Sequence, residues 1–411
     1  MRVFFGVVVV AACGAGCGLG EKPLPEDRAI FPTGLALHTA NNHLIVVSSD
    51  FDLSFDTGGV HVVDLEAARP NLTGPDAVVV DAFVSSVSLP PFGDRPIFDA
   101  AGEHLFLTTR GENQLNEIDF DGGELSCGGT ALCGQAPFVA QLANNDPFDV
   151  VLFDGPGVRG IVTHLSSNEA ELFTFDPEAT GATRLRIEAE SVLFGELTSG
   201  VRSAVLRPAD HDADTAQLFV ALEQRLDGTL TGVELGVFDV PGVNRGSDAV
   251  VNSVDVTGNT GSLSARAIAV VPDPGGGVAV VVALRAPDAL ARFRFNDADR
   301  TFSLTVLSET CKEPTNFAFD DGGVDGVPRL FLTCQAGEVV QAIDPVTLDV
   351  RDSVRFFGRG PYDIVVDSVN QEAFVSFFLD NSIGVLSLAD GKLAAKGRIG
   401  EPLPPPDDGR E

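Results

Sequence analysis

Residues able to do chemistry are few in this chain, and their spacing narrows what they can do. Four cysteines lie well inside it: Cys127 and Cys133 in "CGGTALC", then Cys311 and Cys334. A zinc site needs closely grouped ligands, yet no CxxC occurs and no histidine lies near either pair. In an oxidising compartment the default is two disulfides, one closing a short surface loop and one stapling neighbouring strands. Acids alternate in "DFDLSFD" (50–56) and "DHDAD" (210–214), and "DDGGVDG" (320–326) is similar. Such alternation can gather carboxylates on one side, as Ca²⁺ requires. None of these loops has the spacing of a helix–loop–helix calcium site. They read as solvated turns, so no metal or cofactor is expected, and Ca²⁺ is the one ion they would suit. The six histidines, at 38, 43, 61, 104, 164 and 211, form no HExxH and no close metal pair. No GxSxG nucleophile elbow occurs either.

The amino terminus carries a different chemistry. Met1-Arg2 precedes an apolar run from Val3 to Ala12, shorter than the roughly 20 residues a bilayer span needs. Val10-Ala11-Ala12 precede Cys13, and Gly14-Ala15-Gly16 precede Cys17. Small residues before a cysteine resemble the bacterial lipoprotein signal, in which that cysteine is lipidated and becomes the first mature residue. Cys17 gives the more usual signal length and is favoured. Cys13, with an aliphatic residue three positions back, is the alternative. The resemblance implies a signal peptide over 1–16, lipidated Cys17 with a Gly/Pro/charged tether over 17–29, and an outer-membrane lipoprotein facing the periplasm or the cell surface. An ordinary signal peptide is the competing reading.

The totals exclude some partners. Net charge is −32, from 59 acidic against 27 basic residues. Such a surface repels nucleic acid and anionic headgroups. The chain has 29 Phe, one Tyr (Tyr362) and no Trp, so the rings on which lectins stack sugars are nearly missing. A monomer is expected, held to the membrane only by its lipid.

The elements that position these residues are written as a repeat. "GRGPYDIVVDSVNQEAFVSFFLDNSIGVLSLADGKL" (358–393) divides into three β-rich pieces separated by turn residues. The same order recurs at 32–65, 95–120, 147–176, 201–240, 265–295 and 314–344, which makes seven units about 50 residues apart. A fourth strand lies in linkers such as "FSLTVLS" (302–308) and "DSVRFFG" (352–358). One such unit cannot bury both its faces, so the units must pack around an axis. The expected fold is therefore all-β: a seven-bladed β-propeller of four-stranded antiparallel blades over 30–400. "GKLAAKGRIG" (391–400) is expected to pair as an outer strand that closes the ring. A Pro-rich acidic tail follows over 401–411.

The last repeat, "GRGPYDIVVD…EAFVSFFLDNSIGVLSL", resembles the YVTN-type repeat of bacterial surface and periplasmic propellers. There a Gly-x-x-Pro turn leads into an inner strand, then an aromatic-Val-Ser strand and an Asn-containing turn. The resemblance implies a fold and an exported location, and little about activity. Some seven-bladed propellers are lactonases, and related six-bladed gluconolactonases hold a divalent metal with Glu, Asn and Asp. No motif here receives those residues.

Aligning the inner strands on the third position of the "PYD" turn gives Gly34, Arg95, Asp149, Arg202, Arg266, Asn316 and Asp363. In a propeller these positions converge near the mouth of the central channel. Three arginines there suit an anionic group such as a carboxylate. In the competing reading they pair with Asp149 and Asp363 and merely satisfy a partly buried channel. The expected role is a binding or scaffolding module at the cell envelope. The alternative is a lactonase- or hydrolase-type enzyme with a polar or metal site at the channel mouth. A third reading is an assembly subunit that contacts a partner through blade-rim loops such as 121–137 or 208–216.

Overall fold

The computed structural model describes residues 24–402, apart from 131–132, 136, 154–157, 195–197, 208–216, 227–228, 240–249, 323–325 and 356. Cys13, Cys17, the 210–214 loop and most of the 401–411 tail therefore lie outside the described residues.

The described residues form seven sheets in a ring, a β-propeller. Each blade runs outward from the axis in chain order. Blade 1 comprises Pro32–His38, His43–Ser48, Gly58–Asp64 and Phe83–Leu89. Blades 3 to 6 repeat this pattern over 147–193, 198–255, 264–309 and 314–355. The core is circular. Seven apolar clusters are found, and each joins two neighbouring blades. The second and third strands, such as His43–Ser48, Gly58–Asp64 and Glu372–Phe377, are buried on both faces because each is sandwiched between blades. The outer strand Thr301–Glu309 instead alternates exposed and half-buried residues.

Blade 2 departs from the pattern. Its inner strand is reduced to Ile97–Phe98, because Pro96 supplies no N–H to a ladder. Its outer strand, Val139–Gln141, shares the edge of Gln114–Asp121 with a small hairpin strand, Glu124–Ser126. Cys127 and Cys133 form a disulfide in this insertion. Both are buried in the cluster between blades 1 and 2 rather than capping a surface loop. Cys311 and Cys334 form the second disulfide. It ties the crossover that leaves blade 5 to the end of the second strand of blade 6.

Closure involves both ends of the ring. Ala394–Ile399 is the fourth strand of blade 7, as the sequence leads one to expect. A two-residue strand from blade 1, Val78–Val79, then pairs in parallel with it. On the same seam Arg69 of blade 1 donates to Glu372 at 2.8 Å and to Asp367 at 2.7 Å, both in blade 7. Leu24 and Ala29, in the stretch read as a tether, are buried. No helix among the described residues is long and apolar enough to cross a membrane.

Candidate functional site

The seven aligned positions owe their geometry to a local irregularity. In blades 3, 4, 5, 6 and 7 the inner strand slips register against its neighbour at that position, and in blade 1 it slips one residue earlier, at Thr33. Such a bulge leaves one residue unpaired and re-aims its side chain. In three blades a hydroxyl on the second strand takes up the freed N–H. Thr163 accepts from Asp149, Thr333 from Asn316, and Ser376 from Asp363, at 3.2, 3.2 and 2.9 Å. At the first position only glycine fits. A Cβ on Gly34 would lie 2.7 Å from the Arg95 Cα and the Asp94 carbonyl oxygen.

These bulges surround a cavity of about 250 Å³ at the channel mouth. Arg95, Asp149, Arg202, Arg266 and Asn316 all line it. Asp363 does not: it is fully buried beneath. One of its carboxylate oxygens accepts from the Leu35 N–H at 2.8 Å, and the other from the Asn316 amide at 2.6 Å and the Ile364 N–H at 2.9 Å. Asp363 thus fastens blade 7 to blades 1 and 6, and its bond to Asn316 occupies that amide. Burial raises its pKa, although Arg95 and its hydrogen bonds oppose the shift.

Two further arginines, Arg110 and Arg285, complete the wall with Asp94 and Tyr362. The missed arginines follow or end the second strands His104–Thr109 and Val278–Arg285. Antiparallel pairing brings that end beside the start of the inner strand. Aligning second-strand ends as well as inner-strand starts would have found both. Five arginines and two carboxylates therefore face one cavity in a strongly acidic protein.

The arginines are unequally neutralised. Arg110 lies 3.0 Å from Asp94, and Arg202 lies 2.7 Å from the fully buried Glu223. Arg285 pairs with Glu313. Arg95, with a side chain 42% exposed, is 3.6 Å from Asp363. Arg266 forms no ion pair among the described residues, and its buried Nε has no hydrogen-bond partner. Burial, then repulsion from Arg285 and Arg202, lowers its pKa. Both wall carboxylates move the other way. Burial pushes Asp94 up to about 7, against the pull of Arg110. Burial pushes Asp149 up to about 6, against the pull of Arg95.

The acidic loops behave as turns where they are described. Asp50 accepts from the Phe55 N–H at 3.2 Å, and Asp52 from the Ser54 N–H at 3.0 Å. Asp320 accepts from the Ser368 hydroxyl at 2.8 Å. His104, Glu117 and Asp119 form a cluster with metal-ligating side chains. The guanidinium of Arg184 already sits there, 3.0 Å from Glu117 and 2.6 Å from Asp119. The group is an ionic pin between blades 2 and 3.

No protein-family model matches the chain, and no curated protein matches it. Several solved structures do. The chain is 13% identical to the Kuenenia stuttgartiensis hydrazine synthase, with 89% of this chain and 97% of that one covered at a TM-score of 0.62. The β-propeller domain of Cps50 from Myceliophteria thermophila is 9% identical, covering 88% and 98% at 0.60. The periplasmic gluconolactonase of Pseudomonas aeruginosa is 16% identical, covering 81% and 87% at 0.58. Likeness at this identity bears on fold alone, and it agrees with the observed architecture: the chain is a seven-bladed β-propeller, similar to propellers that carry quite different names.

Proposed function

We propose that the protein is an exported binding module, anchored by lipid to the cell envelope, that holds a small organic anion at its channel mouth. One observation carries this reading. Among the described residues, Arg266 faces an arginine-rich cavity with neither an ion pair nor a partner for its Nε. A partly buried cation without an ion-pair partner and with an unsatisfied Nε is costly, and a bound carboxylate would supply both charge and acceptors. The test is calorimetric titration with small carboxylates, together with mass spectrometry of ligands that co-purify with protein from its native membrane. Arg266→Gln is expected to weaken anion binding at least about tenfold, which corresponds to about 1.4 kcal/mol. An unchanged affinity refutes the assignment.

Export is supported by the two disulfides and by the signal-like amino terminus. Replacing both Cys13 and Cys17 with Ser is expected to release the protein from membranes, as read by fractionation. Retention would refute the lipid anchor.

A second reading is favoured by Asp94. A carboxyl with a pKa of about 7, beside Arg110, is poised to take and return a proton near neutrality. Hydrolysis of a lactone, of the kind the Pseudomonas aeruginosa neighbour is named for, would suit such a group. Asp94→Asn should abolish any lactone hydrolysis while sparing the fold.

A further inference from the structure

An apolar path leads out of the same cavity. Tyr362 lines it, and its ring centroid lies 5.8 Å from Phe378. Phe378 lies 5.2 Å from Phe31 and 5.3 Å from Phe51, and Phe51 lies 5.8 Å from Phe92. Phe31 and Phe92 precede inner strands, whereas Phe51 and Phe378 follow second strands. All four therefore belong to the face onto which the cavity opens. Phe51 is 53% exposed, Leu53 in the same loop 62%, and Leu379, next to Phe378 in the chain, 45%. Large apolar side chains grouped on one face of a soluble protein mark a contact surface.

The loop holds Phe51 outward at a conformational cost. Asp50 and Leu53 both adopt positive φ, 47° and 54°, which side-chain-bearing residues seldom do. The buried Asp50 carboxylate accepts from the Phe55 N–H, and the Leu53 N–H donates to the Asp50 carbonyl. Arginines at the bottom and rings at the rim match a ligand with an anionic head and an apolar body.

Building on the anion-binding reading, we infer that the ligand is a small amphipathic carboxylate. Its head sits among Arg95, Arg202 and Arg266, and its aromatic or aliphatic body lies along Tyr362, Phe378 and Phe51. The cavity of about 250 Å³ admits the carboxylate head, and the rings that continue from Tyr362 offer the body an apolar surface toward the rim.

The test titrates the full-length protein at pH 5.5, in carboxylate-free buffer, with acetate, hexanoate, 3-phenylpropionate and 3-phenylpropionamide. Calorimetry and ligand-observed NMR give the affinities. 3-Phenylpropionate should bind at least about tenfold tighter than acetate, and the neutral amide should bind far more weakly than its acid. Phe51→Ser should reduce the phenylpropionate-to-acetate ratio to less than about threefold. Phe51 is largely exposed, so this variant keeps the fold, and Leu53→Ser provides a second check. If acetate binds through Arg266 but an apolar body adds nothing, the amphipathic ligand is wrong and the anion site stands. If Phe51→Ser leaves the aromatic preference intact, the path over the rim is wrong. If no carboxylate binds at all, the anion site and this inference fall together.

Discussion

Arg266 and Asp94 show how one cavity creates opposite electrostatic problems. Burial lowers the pKa of the arginine and raises that of the carboxyl, because both charged forms lose water on entering the protein. An anion relieves the first problem, and a proton relieves the second. Binding should therefore be linked to pH. As pH falls from 8 to 5, Asp94 and then Asp149 lose their charge, through pKa values of about 7 and 6. The wall becomes more positive, and carboxylate affinity should rise about tenfold or more, since every tenfold needs only about 1.4 kcal/mol. Titrations across that range check this. Asp94→Asn should remove the upper part of the dependence and leave the part near pH 6.

Within and between blades, polar side chains repair what the strands leave open. The bulges that aim Asp149, Asn316 and Asp363 free N–H groups, and Thr163, Thr333 and Ser376 take them up. Between blades 2 and 3, His104 meets Glu117 at 2.9 Å and Asp119 at 3.3 Å. Burial alone would lower its pKa, but hydrogen bonds to Asp119 and Glu117 and the nearby Asp99 raise it to about 9. Arg184, on the same two carboxylates, competes for them. A histidine raised above its unfolded pKa of 6.5 contributes stability that is fully present below pH 6.5 and is lost as pH rises through 9. Solvent reaches the group, so the contribution should be about 1–2 kcal/mol. Denaturant melts of His104→Asn should show that loss at pH 6 and converge on the parent above pH 9.

The whole ring depends on its seam. Every other blade joins its neighbour through a chain crossover, but blades 1 and 7 meet without one. There Val78–Val79 clasps Ala394–Ile399, and Arg69 bridges to Asp367 and Glu372. Lys396 adds a contact of 2.5 Å to Glu372. Arg69→Gln strips one cation from two nearly buried carboxylates and should cost about 3 kcal/mol. Arg300→Gln removes an inter-blade pair with Asp239 that is well exposed, and should cost less than about 1 kcal/mol. Urea midpoints of the two variants give the comparison. Equal losses would show that the seam is no more critical than any other rim.

Much of this architecture was legible in the chain, and the reason is locality. A strand writes its two faces and its turns into adjacent residues. Seven units about 50 residues apart thus carried the blade count, the blade order and the positions that converge on the axis. Arg95, Arg202 and Arg266 follow from this alignment, whereas the two cysteine pairs follow from their spacing and an oxidising compartment. Arg110 and Arg285 do not follow from the alignment, because their place in the cavity follows from second-strand ends meeting inner-strand starts. The fates of the converging residues were also hidden. Asp363 aligns with the ligand candidates, yet its carboxylate is spent on the Leu35 N–H, 328 positions away. Glu223, not Asp149 or Asp363, is the partner of Arg202. Local pattern by itself determined the blades and their number. Which charge neutralises which, which arginine is left over, and how the ring is clasped were decided only by tertiary structure, because those pairings join residues that the sequence keeps far apart.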